Sequence, residues 1–255
     1  MFLARISVFS IILILSSWHC TISAQTFGFG CLGFVGGYGG YTYQQYQPGT
    51  LNDYIENYNI LYNDSLSSPL SKFGKADGYR FGLNFFRAKI KRFIITAKGF
   101  YQNLSEEHNV KAYLSGGESN STLELEIINW ALGVDLGTEI TGGLSWKVVD
   151  AAVLFNNAKF TTTQNMPDAV TKVEQYKSES TSIGYTIGTG FILEVIGEYV
   201  SVEGVAAYTE FSIDKMKTAD GRYFAVAQTN SNSGKKFIEK GGFNAVIQLN
   251  VGLPL

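Results

Sequence analysis

The chain has 255 residues, with 20 Lys and Arg against 22 Asp and Glu, for a formal net charge of −2. That balance suggests neither nucleic-acid binding nor a polybasic membrane patch. Two cysteines and two histidines give no disulfide framework and no metal-ligand spacing, and no cofactor is implied.

Residues 1–24 read as a secretory signal peptide. Arg5 is its positive end, Ile6 to Leu15 its apolar core, and Ser23-Ala24 its small-residue cleavage site before Gln25. The apolar run is too short to span a bilayer as a helix. Cleavage leaves Cys31 alone, expected as a small apolar residue in a strand, and leaves 19 basic residues against 22 acidic ones.

Eight strands are expected in the remaining domain, 25–255. They cover about 26–43, 77–88, 92–102, 122–136, 144–160, 178–196, 198–213 and 236–253. Their alternation is inverted for a soluble protein. Ile183, Tyr185, Ile187, Phe191 and Leu193 share one face, and Ser182, Gly184, Thr186, Gly188 and Glu194 the other. Ile128, Trp130, Leu132, Val134 and Leu136 likewise oppose Asn129, Ala131, Gly133, Asp135 and Gly137. A strand sends successive side chains to opposite faces. One face is therefore greasy and the other small and polar, the dyad pattern of a transmembrane β-barrel. Phe27, Phe29, Tyr79, Tyr101, Trp146, Tyr185, Tyr199 and Phe243 are candidates for its aromatic girdles.

The connections at 89–91, 137–143 and around Gly197 are short, and those after the first, third, fifth and seventh strands are long and polar. In an up-and-down meander the long loops then share one end and the termini share the other. In bacterial outer-membrane barrels the short turns are periplasmic. The first long loop carries a helix over Thr50 to Asn63, with Thr50 as N-cap and Asp53 as its weak capping-box partner. Its apolar face is Leu51, Tyr54, Ile55, Tyr58 and Leu61 or Tyr62. It is an ordinary loop helix, or one that lies over or inside the barrel mouth.

By parity the inward charges are Arg80, Lys98, Asp135, Asp150, Glu194, Glu203 and Lys240, with Arg87 undecided. Lys147 falls on the lipid face and is expected to snorkel from a position near a short turn. Eight strands leave an interior just wide enough for side chains. The charges are expected to pair into a plugged lumen, the alternative being a narrow ion or proton path. Catalytic chemistry is thin. His108 follows Glu106 and Glu107, and Ser105 stands nearby, yet the spacing matches no known rim enzyme. The glycines at 36–37 and 39–40 lack the Lys-Ser or Lys-Thr of a phosphate loop.

On the leader, the inverted strands, the loop asymmetry and the last strand, Gly241 to Leu255, the chain resembles the small eight-stranded outer-membrane β-barrel proteins of Gram-negative-type bacteria. It departs from them in ending Leu253-Pro254-Leu255 instead of in phenylalanine. The resemblance implies an all-β, transmembrane, antiparallel up-and-down barrel in the bacterial outer membrane, with both termini periplasmic. It also implies outer-membrane lipid and the barrel-insertion machinery as partners. The function expected is non-enzymatic, structural or surface-interacting through the external loops. The alternatives are a narrow channel for small or hydrophobic solutes, favoured if Arg222 to Gln228 adds strands to make ten, a rim-located lipid-modifying enzyme, and a soluble lipocalin-like barrel.

Overall fold

The computed structural model describes residues 36–114, 117–166, 170–197, 199–224 and 235–252. The proposed leader, Cys31, Phe27, Phe29 and the terminal 253–255 lie outside the described residues. So do residues 225–228 of the stretch considered for extra strands.

Eight antiparallel strands close into a barrel. They are β1 (Gly36–Gln45), β2 (Lys75–Ile90), β3 (Phe93–Leu114), β4 (Gly117–Thr141), β5 (Leu144–Asn165), β6 (Ser182–Ile196), β7 (Val200–Glu210) and β8 (Gly242–Gly252). Each pairs with its sequence neighbour, and β1 pairs with β8 to close the ring. Closure leaves no open strand edge of the kind that lipid could not satisfy. Tyr223 makes an isolated bridge to Lys217, and the barrel closes without it.

The outward face over the middle of the barrel is apolar and exposed. It includes Phe81, Trp130, Leu132, Val134, Val153, Ile183, Ile187, Phe191, Ile247 and Leu249. Aromatic rings border this belt. Tyr101 packs at a tilt against Trp130 with centroids 4.9 Å apart, and Tyr41 meets Tyr79 edge-on at 6.2 Å. Trp146 and Tyr199 are exposed near the opposite rim. This is a transmembrane barrel with its greasy face to lipid.

Three connections are tight and share the end that holds the first and last described strand ends. Ile90 pairs with Phe93 across Lys91-Arg92, where Lys91 takes the left-handed φ of 58°. Thr141 pairs with Leu144 across Gly142-Gly143, with Gly143 at φ 90°, the region such two-residue turns demand. Gly197 begins the third.

The opposite end departs from the expected loops. β3, β4 and β5 run for 22, 25 and 22 residues, about twice what a membrane crossing uses. Residues 103–114 and 117–121, expected as a loop, are the upper parts of the paired strands β3 and β4, with Leu104 opposite Ile127 and Lys111 opposite Asn120. A short strand, Lys172–Ser178, continues the wall against β5, and Met216–Lys217 continues it further. Polar outward residues do not preclude a strand when its inward residues are apolar.

That condition holds in the long strands, and it reverses the polarity of the barrel partway up them. In β4 the outward residues read Thr122, Glu124, Glu126, then Ile128, Trp130, Leu132. The inward ones read Leu123, Leu125, Ile127, then Asn129, Ala131, Gly133. In β5 Phe155 gives way outward to Asn157 and Lys159, while inward Asn156 gives way to Ala158 and Phe160. Below the switch the barrel is greasy outside. Above it lies a tier built like a soluble protein, greasy inside. The switch marks the edge of the hydrocarbon.

The helix α1 spans Thr50–Leu61. Gly49, not Thr50, is its N-cap, and no side chain caps it. Asp53 instead pairs with Lys235 at 2.9 Å. The helix is no ordinary loop helix, because Leu51 and Ile55 are fully buried inside the tier. Leu61 stays exposed, since the helix ends as it leaves that core. Burying two such side chains contributes about 1.5–3 kcal/mol each.

Candidate functional site

The lumen is layered. Nearest the short turns, Lys98 and Lys147 meet Asp135, Asp150 and Glu203, all buried. Lys147 Nζ lies 3.1 Å from Asp135 and 3.2 Å from Asp150, and also bonds Glu203. Lys98 bonds Asp150 and lies 3.5 Å from Asp135. Asn250 donates to the second Glu203 oxygen at 3.3 Å. Arg80 stands apart from these ion pairs. Its guanidinium donates twice to Gln102 Oε1, at 2.9 and 2.7 Å, and lies 4.1 Å from the centre of the Phe100 ring. Among the described residues, three cations thus balance three carboxylates in this part of the lumen, as burial requires.

Five of the seven residues read as inward charges therefore lie buried in the lumen: Arg80, Lys98, Asp135, Asp150 and Glu203. Two do not join them. Glu194 is half-buried at the short-turn end, where β6 is irregular, and its backbone N–H bonds Gly143 O. Lys240 is exposed at the far end, because the chain there forms a two-residue ladder with 47–48 before β8 begins. Arg87 is half-buried.

Lys147 is the residue that parity misassigns. β5 carries a bulge: Gly137 pairs with Lys147 and Leu136 with Val149, which leaves Val148 extra. One extra residue flips every side chain beyond it to the other face. Lys147 therefore points inward with Asp150, three positions away. The signal was present as two consecutive valines between two charges, an arrangement a regular strand would split across both faces.

Above the charges lies a belt of amides. Gln102 bonds Gln44 at 3.4 Å, and Asn244 donates to Thr42 at 3.2 Å. Gln102, Asn129 and Asn156 follow one another in register across β3, β4 and β5 and are almost wholly buried.

The apolar core of the tier seals this belt from the outer end. Leu104, Ile127, Phe160, Phe237 and Ile238 close around Leu51 and Ile55 of α1. The helix is fastened by two asparagines seven residues apart. Asn52 clamps the backbone of Phe73, its carboxamide oxygen accepting from the N–H at 2.9 Å and its NH2 donating to the carbonyl at 3.0 Å, and Asn59 clamps that of Leu70 in the same way at 2.8 and 2.9 Å. Glu106 ties the next segment. It accepts from the Gly74 and Lys75 amides and from the Tyr46 hydroxyl at 2.6 Å. Burial, with Glu106 beside it, holds the Tyr46 phenol well above its ordinary pKa, so it remains a donor.

His108 points inward, 2.9 Å from Glu106 and edge-on to Phe73 at 4.4 Å. Ser105 points outward and is exposed. The two lie on opposite faces of β3 and form no catalytic pair. No sequence motif marks the asparagine clamps or the Glu106 hub, because their partners are mostly backbone groups distant along the chain.

No protein-family model matches the chain, and no curated protein sequence matches it. Among solved structures it is similar to Ail, the attachment invasion locus protein of Yersinia pestis, in complex with the heparin analogue sucrose octasulfate. That match has a TM-score of 0.39 and 6% identity over 86% of this chain and 98% of the other. It is also similar to Neisserial surface protein A, with a TM-score of 0.37 and 13% identity over 86% and 99%. What the chain's own geometry gives is a closed eight-stranded β-barrel of the outer-membrane type.

Proposed function

We propose that the protein is a non-conducting, non-enzymatic component of a bacterial outer membrane that acts by holding a folded platform outside the cell. One observation carries this reading: a soluble-type core, closed by α1, stands on top of a lumen already filled by paired charges. A barrel meant to conduct has no use for two seals in series, and a tier this tall holds its outer surface well clear of the membrane. The short turns and both termini face the periplasm, the 1–24 leader directs export, and the barrel-insertion machinery reads the last strand. The tier and long loops meet the partner, and the role is structural, adhesive or otherwise surface-interacting.

Cysteine labelling tests the orientation. In a Cys31→Ser background, Thr161→Cys should react with an impermeant maleimide on intact cells, and Thr141→Cys only after the outer membrane is opened. The reverse pattern overturns the orientation. Correctly folded protein should give a flat planar-bilayer trace, and overexpression should leave lipid A profiles unchanged. Regular conductance steps, or a new lipid A species, would replace this reading with the channel or the rim enzyme.

A further inference from the structure

On the outer wall of the tier, one lateral row of side chains reads Ser105, Glu126, Lys159, Lys177, Lys217. These are register partners on five adjacent strand segments. Three lysines thus stand side by side on neighbouring strands, about 5 Å apart. They share the outward face, because their chain neighbours Phe160, Tyr176 and Met216 turn into the tier core. Like charges directly opposite one another weaken a sheet unless something negative lies across them. Glu126 takes Lys159 at 3.1 Å, and Glu179 reaches Lys217 at 3.5 Å. The central Lys177 is exposed and makes no ion pair among the described residues.

Height decides what the row meets. Phe155 is the last greasy outward residue of β5, and Lys159 stands two outward positions above it. With the strand tilt of a barrel that is about 10 Å above the hydrocarbon edge. A lysine stem reaches down far enough to put its ammonium among lipid headgroups. We propose that Lys159, Lys177 and Lys217 form a binding row for the phosphoryl groups of anionic lipids in the leaflet at the tier end. The apolar belt below supplies the acyl-chain contact, which makes a membrane lipid a better occupant than free phosphate. The inference rests on that belt facing lipid, which heat-shift electrophoresis reads separately from lipid choice.

The test uses full-length protein folded into phosphatidylcholine vesicles doped with phosphatidylglycerol, then extracted in mild detergent. Mass spectrometry of the lipid that stays bound gives the enrichment of the anionic species. Wild type should enrich it. Lys177→Gln should cut the enrichment about fivefold, and the triple Lys→Gln variant should abolish it. Lys177→Arg and Lys72→Gln, the latter on the rim by α1, should leave it intact. If the triple variant fails to show a heat shift, the single Lys177 variants still decide the matter. Equal enrichment in Lys177→Gln, or equal loss in Lys72→Gln, overturns the row. Displacement of the bound lipid by inorganic phosphate at equal concentration overturns the choice of a lipid ligand.

Discussion

Lys147 holds three carboxylates together from a position that simple alternation assigns to lipid. Removing it leaves Asp135, Asp150 and Glu203 crowded in a low-dielectric lumen. Lys147→Met is therefore expected to cost about 3–5 kcal/mol, read as a fall in the urea midpoint of the folded barrel. Lys147→Met with Glu203→Gln should recover a good part of that loss, because the two residues are coupled. Equal midpoints for the single and double variants would show that they are not. Glycine acts at this scale too. A methyl on Gly188 would come 2.4 Å from the Ala206 carbonyl oxygen, so Gly188→Ala should lower the same midpoint although it adds no charge. The polar identity of the lumen was legible in single residues. The partner of each charge was not, because one bulge at Val148 shifts the count.

Among the elements, β4 was the easiest to read and the most informative. Its lower half alternates without fault, and that half predicted the barrel. Its upper half alternates just as well with the polarity exchanged, so one greasy face carries the expected strand only as far as Thr122, and 117–121 above it reads as loop. Leu132→Arg should block assembly, at about 2–4 kcal/mol of lipid-face cost. Thr122→Arg, on the same face of the same strand, should shift stability by no more than about 0.5 kcal/mol. Heat-shift electrophoresis of outer-membrane fractions separates the two, and equal assembly of both would move the lipid edge. The helix was visible from its spacing, but its burial was not. Burial depends on Phe160, Phe237 and Ile238, which are brought in from distant segments. Ile55→Ala should cost about 2–5 kcal/mol in the tier, seen as faster proteolysis around 62–72 with the barrel itself intact.

As a whole the molecule stacks two folding logics on one set of strands. The membrane half depends on lipid outside and paired polar groups inside. The tier depends on water outside and an apolar core inside. The two should come apart experimentally. Replacing residues 50–72 with a short Gly-Ser link should leave the heat shift and the flat conductance trace unchanged, since the ion-paired layer lies below the helix. It should also expose Phe160 and raise the binding of a hydrophobic dye. Loss of the heat shift would mean that the barrel needs its cover in order to close.

The polarity switch also fixes the protein's vertical position. From Ile128 to Leu136 the greasy stretch of β4 is about 27 Å along the strand, or about 21 Å across the membrane once tilt is allowed for. A shift by one outward position places Glu126 among acyl chains or Ile128 in water. The barrel therefore cannot bob or tilt to suit its surroundings, and the bilayer must thin to meet it. In a thicker membrane that deformation costs free energy at every surrounding lipid. The protein should gather wherever the leaflet is already thin, sorted by thickness before any ligand is bound.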